Sequence, residues 1–455
     1  EQGKTKMKHK TIALAAAAAA LLGASGVALA QADSVLAPKS EKPADRWTII
    51  HAGTLMADAS KPVLRNASVI VKNDKVEAVR DGFVGPDAIG NGVAPAGVAV
   101  VELRDKFVMA GLIDAHVHVG FGSWIAALRN AREKIMGGAT TVRDAGSTPE
   151  VIFPLRDAIN AGLVVGPRIL ASGSPLTTTG GHGDFRNGNF QASLAPPAFS
   201  SGVCDGVGEC EKVTRRQIQL GADQIKIIDT AGVVDDSYTG HDQQFTDAEL
   251  HAIVDAAHLM KRKVMAHAIG ADGVKAAVRA GVDSIEHGNY LDDEGAKLMK
   301  AHGTYLVPTL EAPTDVLRRV RNPRPGDRPI SDNTRRKVLG MPEAQPEGIG
   351  RQVKVALRNG VTIAVGTDFG GTPGDEMVLL VRDGGMTPAA ALRAVTLTNA
   401  ELLGISDKVG TLAPGKSADV VAFDGNPLDE IEASTRVVYV MSQGHQFKAP
   451  GYQLP

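Results

Sequence analysis

Short apolar strands alternate with helical patterns along the middle of this chain, and this alternation constrains the fold more than any other feature. Helical patterns occur, for example, at 125–136, 247–258 and 273–280. The eight candidate strands lie at 112–118, 140–144, 168–172, 224–228, 264–268, 284–287, 305–308 and 362–367. Strands and helices in this order predict an α/β protein built on a (β/α)8 TIM barrel. An open doubly wound sheet is the alternative, but it calls for a glycine-rich phosphate-binding turn after the first strand, and the sequence has none there.

The two ends of the chain carry a different pattern. Alternating strands are predicted at 47–52, 67–72, 75–79 and 98–103, and again at 418–423 and 436–440. We therefore predict a small β-sandwich domain built from both chain ends, residues 46–108 and 408–455, around a barrel at 109–407. A chain of 455 residues is long enough for both parts.

The first residues resemble a secretory signal. Residues 8–10 are basic, 11–23 are rich in Ala and Leu, and 28–30 fit the small-x-small cleavage rule. We expect residues 1–30 to be a signal peptide with upstream residues and 31–45 to be a linker. Export to a periplasm or to the outside of the cell follows. A membrane anchor is disfavoured because the segment is only weakly apolar, so no stable membrane span is expected after its removal.

Charge and cysteine content exclude some classes of protein. The net charge is −2, and no basic region interleaved with aromatic residues occurs, so a nucleic-acid partner is not expected. Cys204 and Cys210 are the only cysteines, too few for a disulfide framework. Whether these two residues are bonded is left open by the sequence.

Titratable side chains lie where the predicted strands end, which is where barrel active sites are built. His116 and His118 alternate on the first strand and therefore point to the same face, as two zinc-ligating imidazoles would. The complete set of strand-end candidates is His116, His118, Lys226, His267, His287 and Asp368. Twelve histidines scattered at random would rarely place four at these positions, so a shared site is favoured.

These residues resemble the amidohydrolase superfamily, in its branch with two metal ions. Three further segments are similar to the prolidase-like group of Xaa-Pro and Xaa-Arg dipeptidases, which also contains ochratoxin-hydrolysing amidohydrolases. They are Thr-Gly-Gly-His-Gly-Asp at 179–184, Gly-Ala-Asp-Gln-Ile-Lys-Ile at 221–227 and Val-Pro-Thr-Leu at 307–310. The resemblance covers most of the chain after the signal segment.

The resemblance implies a set of metal ligands. His116, His118 and Asp368 would hold the more buried ion, and His267 and His287 the more exposed one. Lys226, carbamylated by carbon dioxide, would bridge both ions as an anion, because an ammonium would repel them. Imidazole and carboxylate donors favour Zn²⁺, while manganese and cobalt suit the same ligands. Relatives of this kind also imply a homo-oligomer.

The implied reaction is hydrolysis of an amide. Two divalent ions would supply hydroxide at neutral pH, and Asp368 would carry a proton from the water to the departing amine. His182 would donate a hydrogen bond to the substrate or to the developing oxyanion. Tyr238 and His241 are candidates for binding a substrate carboxylate. The substrate would be a dipeptide or an N-acyl amino acid, with ochratoxin A, split into ochratoxin alpha and phenylalanine, as one possibility.

Three other functions compete with amide hydrolysis of this kind. A cyclic amidase of the hydantoinase or dihydroorotase kind has the same lysine and is opposed mainly by the His182 loop. A mononuclear deaminase would carry a glutamate where Gly270 stands. A non-catalytic barrel used for assembly would be expected to have lost ligands that are all present here.

Overall fold

The computed structural model describes residues 45–89, 94–187, 196–234, 240–327 and 329–453. These ranges do not include the predicted signal peptide or Tyr238. Of the predicted linker, they include only the last residue. The strands of the described part are β1 (Trp47–Met56), β2 (Leu64–Lys72), β3 (Lys75–Asp81), β4 (Ala99–Ala110), β5 (Leu112–Val117), β6 (Ala139–Asp144), β7 (Arg168–Ala171), β8 (Ile225–Ile228), β9 (Val264–Ala268), β10 (Ser284–His287), β11 (Tyr305–Val307), β12 (Val420–Phe423), β13 (Val437–Ser442), β14 (His445–Ala449) and β15 (Tyr452–Gln453).

The α-helices of the same part are α1 (Trp124–Met136), α2 (Pro149–Asn160), α3 (Val207–Leu220), α4 (Asp247–Leu259), α5 (Ala271–Ala280), α6 (Asp293–His302), α7 (Glu311–Arg321), α8 (Asp332–Gly340), α9 (Arg351–Arg358), α10 (Pro373–Arg382), α11 (Pro388–Arg393) and α12 (Asn399–Leu402). Local signals set their ends. Thr246 and Glu249 form a reciprocal capping box at the start of α4. Gly281, at φ 95°, ends α5 in the left-handed conformation that glycine tolerates best.

Strands from both chain ends pair in one eight-stranded sheet, in the order β15-β14-β13-β12-β4-β1-β2-β3. Strand β4 joins the two ends, because it runs parallel to β1 and antiparallel to β12. Successive residues of a strand point to opposite faces, and both faces carry apolar clusters, one containing Ile50 and the other Ile49. A small β domain built from both chain ends is therefore confirmed as part of the fold class, while its exact residue boundaries stay a prediction.

The middle of the chain forms two parallel sheets, β5-β6-β7 and β11-β10-β9-β8. Hydrogen bonds connect them on both sides. On one side, Leu176 bonds with β8 through its amide and its carbonyl. On the other, the segment at 362–368 bonds with both β11 and β5, so it takes the position of the eighth predicted strand. The strand order and the helices between strands confirm the α/β barrel class.

Asn399 explains why the eighth segment is not a regular strand. Its side-chain oxygen accepts a hydrogen bond from the amide of Val365, and its side-chain nitrogen donates to the carbonyls of Val365 and Ile113. A buried side chain thus replaces part of the backbone ladder between this segment and β5.

Two connections between barrel strands, at 173–220 and 311–349, are long and contain helices. The connection at 173–220 ends in α3, and Cys204 and Cys210 are joined in it by a disulfide bond with a Cα–Cα distance of 5.0 Å. The connection at 311–349 contains α7 and α8, which the sequence pattern did not reveal. Among the described residues, no helix is both long and apolar enough to cross a membrane.

Candidate active site

His116 and His118 lie at the end of β5, with ring centroids 5.4 Å apart. His116 is fully buried, and its Nδ1 donates to Glu286 Oε2 at 2.6 Å. His118 Nδ1 donates to the carbonyl of Gly146 at 2.7 Å. Because each Nδ1 is engaged in this way, each ring presents Nε2 to the barrel mouth, as a metal-ligating histidine does.

Asp368 faces both rings from the eighth segment. Its Oδ1 lies 3.2 Å from His118 Nε2 and 3.7 Å from His116 Nε2. One donor atom from each of the three side chains falls within 4.8 Å of the others. Burial raises the pKa of Asp368, but the adjacent imidazoles of His118 and His116 and the charge of Lys226 outweigh it and hold that pKa below its usual range. The carboxylate is therefore ionised and suited to bind a cation.

His267 and His287 extend the cluster, with rings 4.7 Å apart, and His287 lies 5.0 Å from the ring of His116. Thr309 donates its hydroxyl proton to the carbonyl of Pro308, so its oxygen accepts from His287 Nδ1 at 2.7 Å. Burial lowers the pKa of His116, His267 and His287 well below the ordinary value. These imidazoles are neutral at pH 7, which is the form that binds metals.

Lys226 is buried on β8 beside these groups. Burial lowers its pKa to about 8, although the negative charges of Glu286 and Asp368 act in the opposite direction. A larger fraction of the amine is therefore neutral near pH 7 than for an exposed lysine.

The buried ion pair of Arg143 and Glu286 supports His116 on the Nδ1 side of its ring. The sequence pattern did not reveal this ion pair. Glu286 Oε1 accepts from Arg143 Nη2 at 2.7 Å and from Ser284 Oγ at 2.5 Å, while Oε2 accepts from His116. Arg143 also donates to the carbonyl of Ala115 and to Ser284. The charged side chains themselves could have indicated this pair, because Arg143 and Glu286 both stand in strands whose residues are otherwise buried.

A second missed residue, Lys134, holds the loop that carries Asp368. Its Nζ donates to Thr367 Oγ1 at 2.6 Å and to the carbonyl of Gly371 at 3.2 Å, and it forms an ion pair with Asp114 at 3.3 Å. The fully buried Asp114 carboxylate in turn accepts from the Thr367 amide. The sequence pattern gives no sign of this role, because Lys134 reads as an ordinary polar residue of a helix.

Of the residues predicted to contact the substrate, the structure describes His182 and His241 but not Tyr238. The ring of His182 lies 4.9 Å from that of His267, and the His182 amide donates to Gln244 Oε1. A side chain at Gly232 would overlap the His182 ring, so the glycine leaves room for that ring. His241 contacts Tyr290 at a ring distance of 5.5 Å, and Tyr238 lies outside the described residues.

Two buried imidazole nitrogens indicate that this group of side chains fits a metal ion. His116 Nε2 and His267 Nε2 have no hydrogen-bond partner among the described residues. Unsatisfied buried polar atoms of this kind are costly unless something binds them. Neutral imidazoles beside an ionised carboxylate are donors that divalent ions accept, so the residues fit such ions.

Known proteins resemble this chain over most of its length. Residues 107–447 match the model of the amidohydrolase family. An ochratoxinase from Aspergillus niger is 32% identical over 441 residues, which covers 89% of this chain and 87% of that protein. The crystal structure of a Xaa-Pro dipeptidase with bound methionine in its active site superposes with a TM-score of 0.80 at 34% identity, covering 89% of this chain and 100% of that one. The crystal structure of the A. niger ochratoxinase gives a TM-score of 0.74 at 29% identity, covering 90% and 96%.

Proposed function

Because this chain belongs to the amidohydrolase family and is a hydrolase of amide bonds, we propose that it cleaves a dipeptide or an N-acyl amino acid to release a free amino acid. The observation that carries the proposal is the meeting of His116, His118 and Asp368 at one end of the barrel. The ring of His287 contacts that of His116, and the ring of His267 contacts that of His287. The relatives named above, an ochratoxinase and a Xaa-Pro dipeptidase, support this substrate class.

The metal ligands form the first part of the proposal. His116, His118 and Asp368 would hold one divalent ion, His267 and His287 would hold a second, and Zn²⁺ suits both sets of donors. Lys226 would also help to hold the ions as a carbamate, an anion that would form when its neutral amine adds to carbon dioxide and loses a proton. Divalent ions held by these residues would supply a lowered pKa of the attacking water and polarisation of the scissile carbonyl.

The chain's own residues then move the proton and orient the substrate. Asp368, ionised and at hydrogen-bond distance from His118, accepts the proton of the attacking water and returns it to the departing nitrogen. His182 projects beside His267 and donates to the carbonyl oxygen as negative charge develops on it. His241 and Tyr238 are proposed to bind the substrate carboxylate.

Export and the oligomeric state are also part of the proposal. The basic start, the apolar run and the small residues at 28–30 support an exported protein that begins at Gln31. A homo-oligomer follows from the resemblance to known amidohydrolases. N-terminal sequencing of the exported protein and light scattering of the purified protein test these two points.

A substrate panel tests the activity. Purified protein is assayed with N-acyl amino acids, Xaa-Pro dipeptides and ochratoxin A, before and after dialysis against a chelator. We expect release of the amino acid, loss of activity after dialysis and recovery on adding Zn²⁺. Full activity after thorough metal removal would contradict the proposed mechanism, and cleavage of hydantoin-like rings alone would favour a cyclic amidase.

A further inference from the structure

Three phenylalanines form an exposed cluster that touches the candidate active site. The ring of Phe369 stacks on His118 at 4.3 Å and 14°, Phe121 meets Phe369 edge-on at 5.5 Å, and Phe185 lies 5.9 Å from Phe121. We call Phe121, Phe185 and Phe369 the aromatic cluster. Their exposed fractions are 38%, 73% and 62%.

The cluster is built by the same loops that carry the proposed catalytic groups. Phe369 directly follows Asp368, Phe121 lies three residues after His118, and Phe185 lies three residues after His182. Three loops from separate parts of the barrel thus each bring one reactive side chain and one phenylalanine to the mouth. A substrate held at Asp368 and His182 has these rings as neighbours.

Core packing does not account for this arrangement. Phe107, Phe245 and Phe423 are buried among apolar side chains, as phenylalanine usually is. Exposed apolar residues are unremarkable when scattered singly, whereas contiguous ones commonly mark a binding surface. Aromatic rings at offset or edge-on angles also leave faces and edges free to contact a further ring.

We propose that the aromatic cluster binds an aromatic group attached to the scissile amide of the substrate. This inference rests on the proposed amidohydrolase function and makes its substrate class narrower. It predicts that amides with a flat aromatic group are preferred over those with a methyl group at the same position. The aromatic group can lie on the acyl side or on the amine side of the amide, and the test separates the two.

The test compares three substrates, N-(2-naphthoyl)glycine, N-acetylphenylalanine and N-acetylalanine, using the metal-loaded enzyme and the variants Phe121→Ala and Phe185→Ala. Each variant should lower the ratio of kcat/KM for one aromatic substrate to kcat/KM for N-acetylalanine by about tenfold. A fall for the naphthoyl substrate places the ring on the acyl side, and a fall for the phenylalanine substrate places it on the amine side. An unchanged ratio for both overturns the proposal.

Phe199→Ala is the matched control. Phe199 is similarly exposed, but its ring lies under the Arg216 guanidinium at 4.7 Å. Within the described ranges, this ring makes no ring contact with the aromatic cluster. This variant should keep the wild-type ratios. Light scattering of each variant completes the comparison, because a changed oligomeric state together with unchanged ratios would identify the cluster as a subunit contact and overturn the proposal.

A binding experiment separates failure of this inference from failure of the proposed function. Calorimetric titration of 2-naphthoate and of acetate measures affinity without turnover. We expect the wild-type protein to bind naphthoate more tightly than acetate, and the double variant F121A/F185A to lose about tenfold in naphthoate affinity. If no amide is hydrolysed, the proposed function fails, while equal binding of both acids would overturn the aromatic site itself.

Discussion

Replacing Glu286 by Gln should weaken metal binding without touching any proposed ligand. Oε1 of the carboxylate accepts from Arg143 and Ser284, and Oε2 accepts from His116 Nδ1 at 2.6 Å. A glutamine can keep the first two bonds through its oxygen, but its amide nitrogen then faces His116. His116 must accept at Nδ1 and carry its proton on Nε2, the atom that lies 3.7 Å from Asp368. A protonated Nε2 cannot ligate a metal.

The magnitude follows from the same contacts. Loss of a histidine's supporting carboxylate typically costs 10–100-fold in metal affinity or activity, which is about 1.4–2.8 kcal/mol. The bond from Arg143 stays but no longer ends on a negative charge, and this loss of charge assistance should lower the free energy of unfolding by about 1.5–3 kcal/mol. Both partners are fully buried, so solvent cannot compensate for either loss.

The assay is competition for Zn²⁺ with a chromophoric chelator, combined with urea unfolding of the metal-free protein. Glu343→Gln is a matched control, because Glu343 is also buried but bonds with Asn289 rather than with a proposed ligand. The control should lose stability and keep its metal affinity. Wild-type zinc affinity and turnover in the Glu286→Gln protein would refute the supporting role of Glu286.

Three further outcomes are expected. Lys226→Ala should reduce activity and metal content by about 100-fold or more, since it removes the proposed bridge; unchanged turnover would reject the carbamate. Gly232→Ala should displace the His182 ring and lower kcat/KM about tenfold, and adding His182→Ala to it should cost nothing more, because the two changes remove the same interaction. Burial raises the pKa of Glu376 from 4.5 to about 8. Between these two pH values the folded state therefore binds one more proton than the unfolded state. The stabilisation from this proton is complete below pH 4.5 and is lost towards pH 8 at about 1.4 kcal/mol per pH unit. Urea titrations at several pH values should show that the free energy of unfolding falls less steeply with pH in Glu376→Gln than in the wild type, and parallel curves would contradict this.

Much of the fold could be predicted from local pattern. Apolar runs of four to seven residues alternating with helical periodicity predicted the α/β barrel class, and alternating strands at both ends predicted the joint sheet. The sequence could not show that the segment at 362–368 bonds through Asn399 rather than through a regular ladder. It also missed α7 and α8, because a segment rich in Pro and Arg gives weak helical signals.

The sequence by itself determined which side chains stand at strand ends, since strand periodicity and barrel topology together place them at one mouth. Only the tertiary structure decided which atoms meet. It set the tautomer of His116 through Glu286, a residue 170 positions away, and it brought Phe121, Phe185 and Phe369 together from three loops. Contacts between distant segments depend on how the loops and helices pack, and no local pattern encodes that packing.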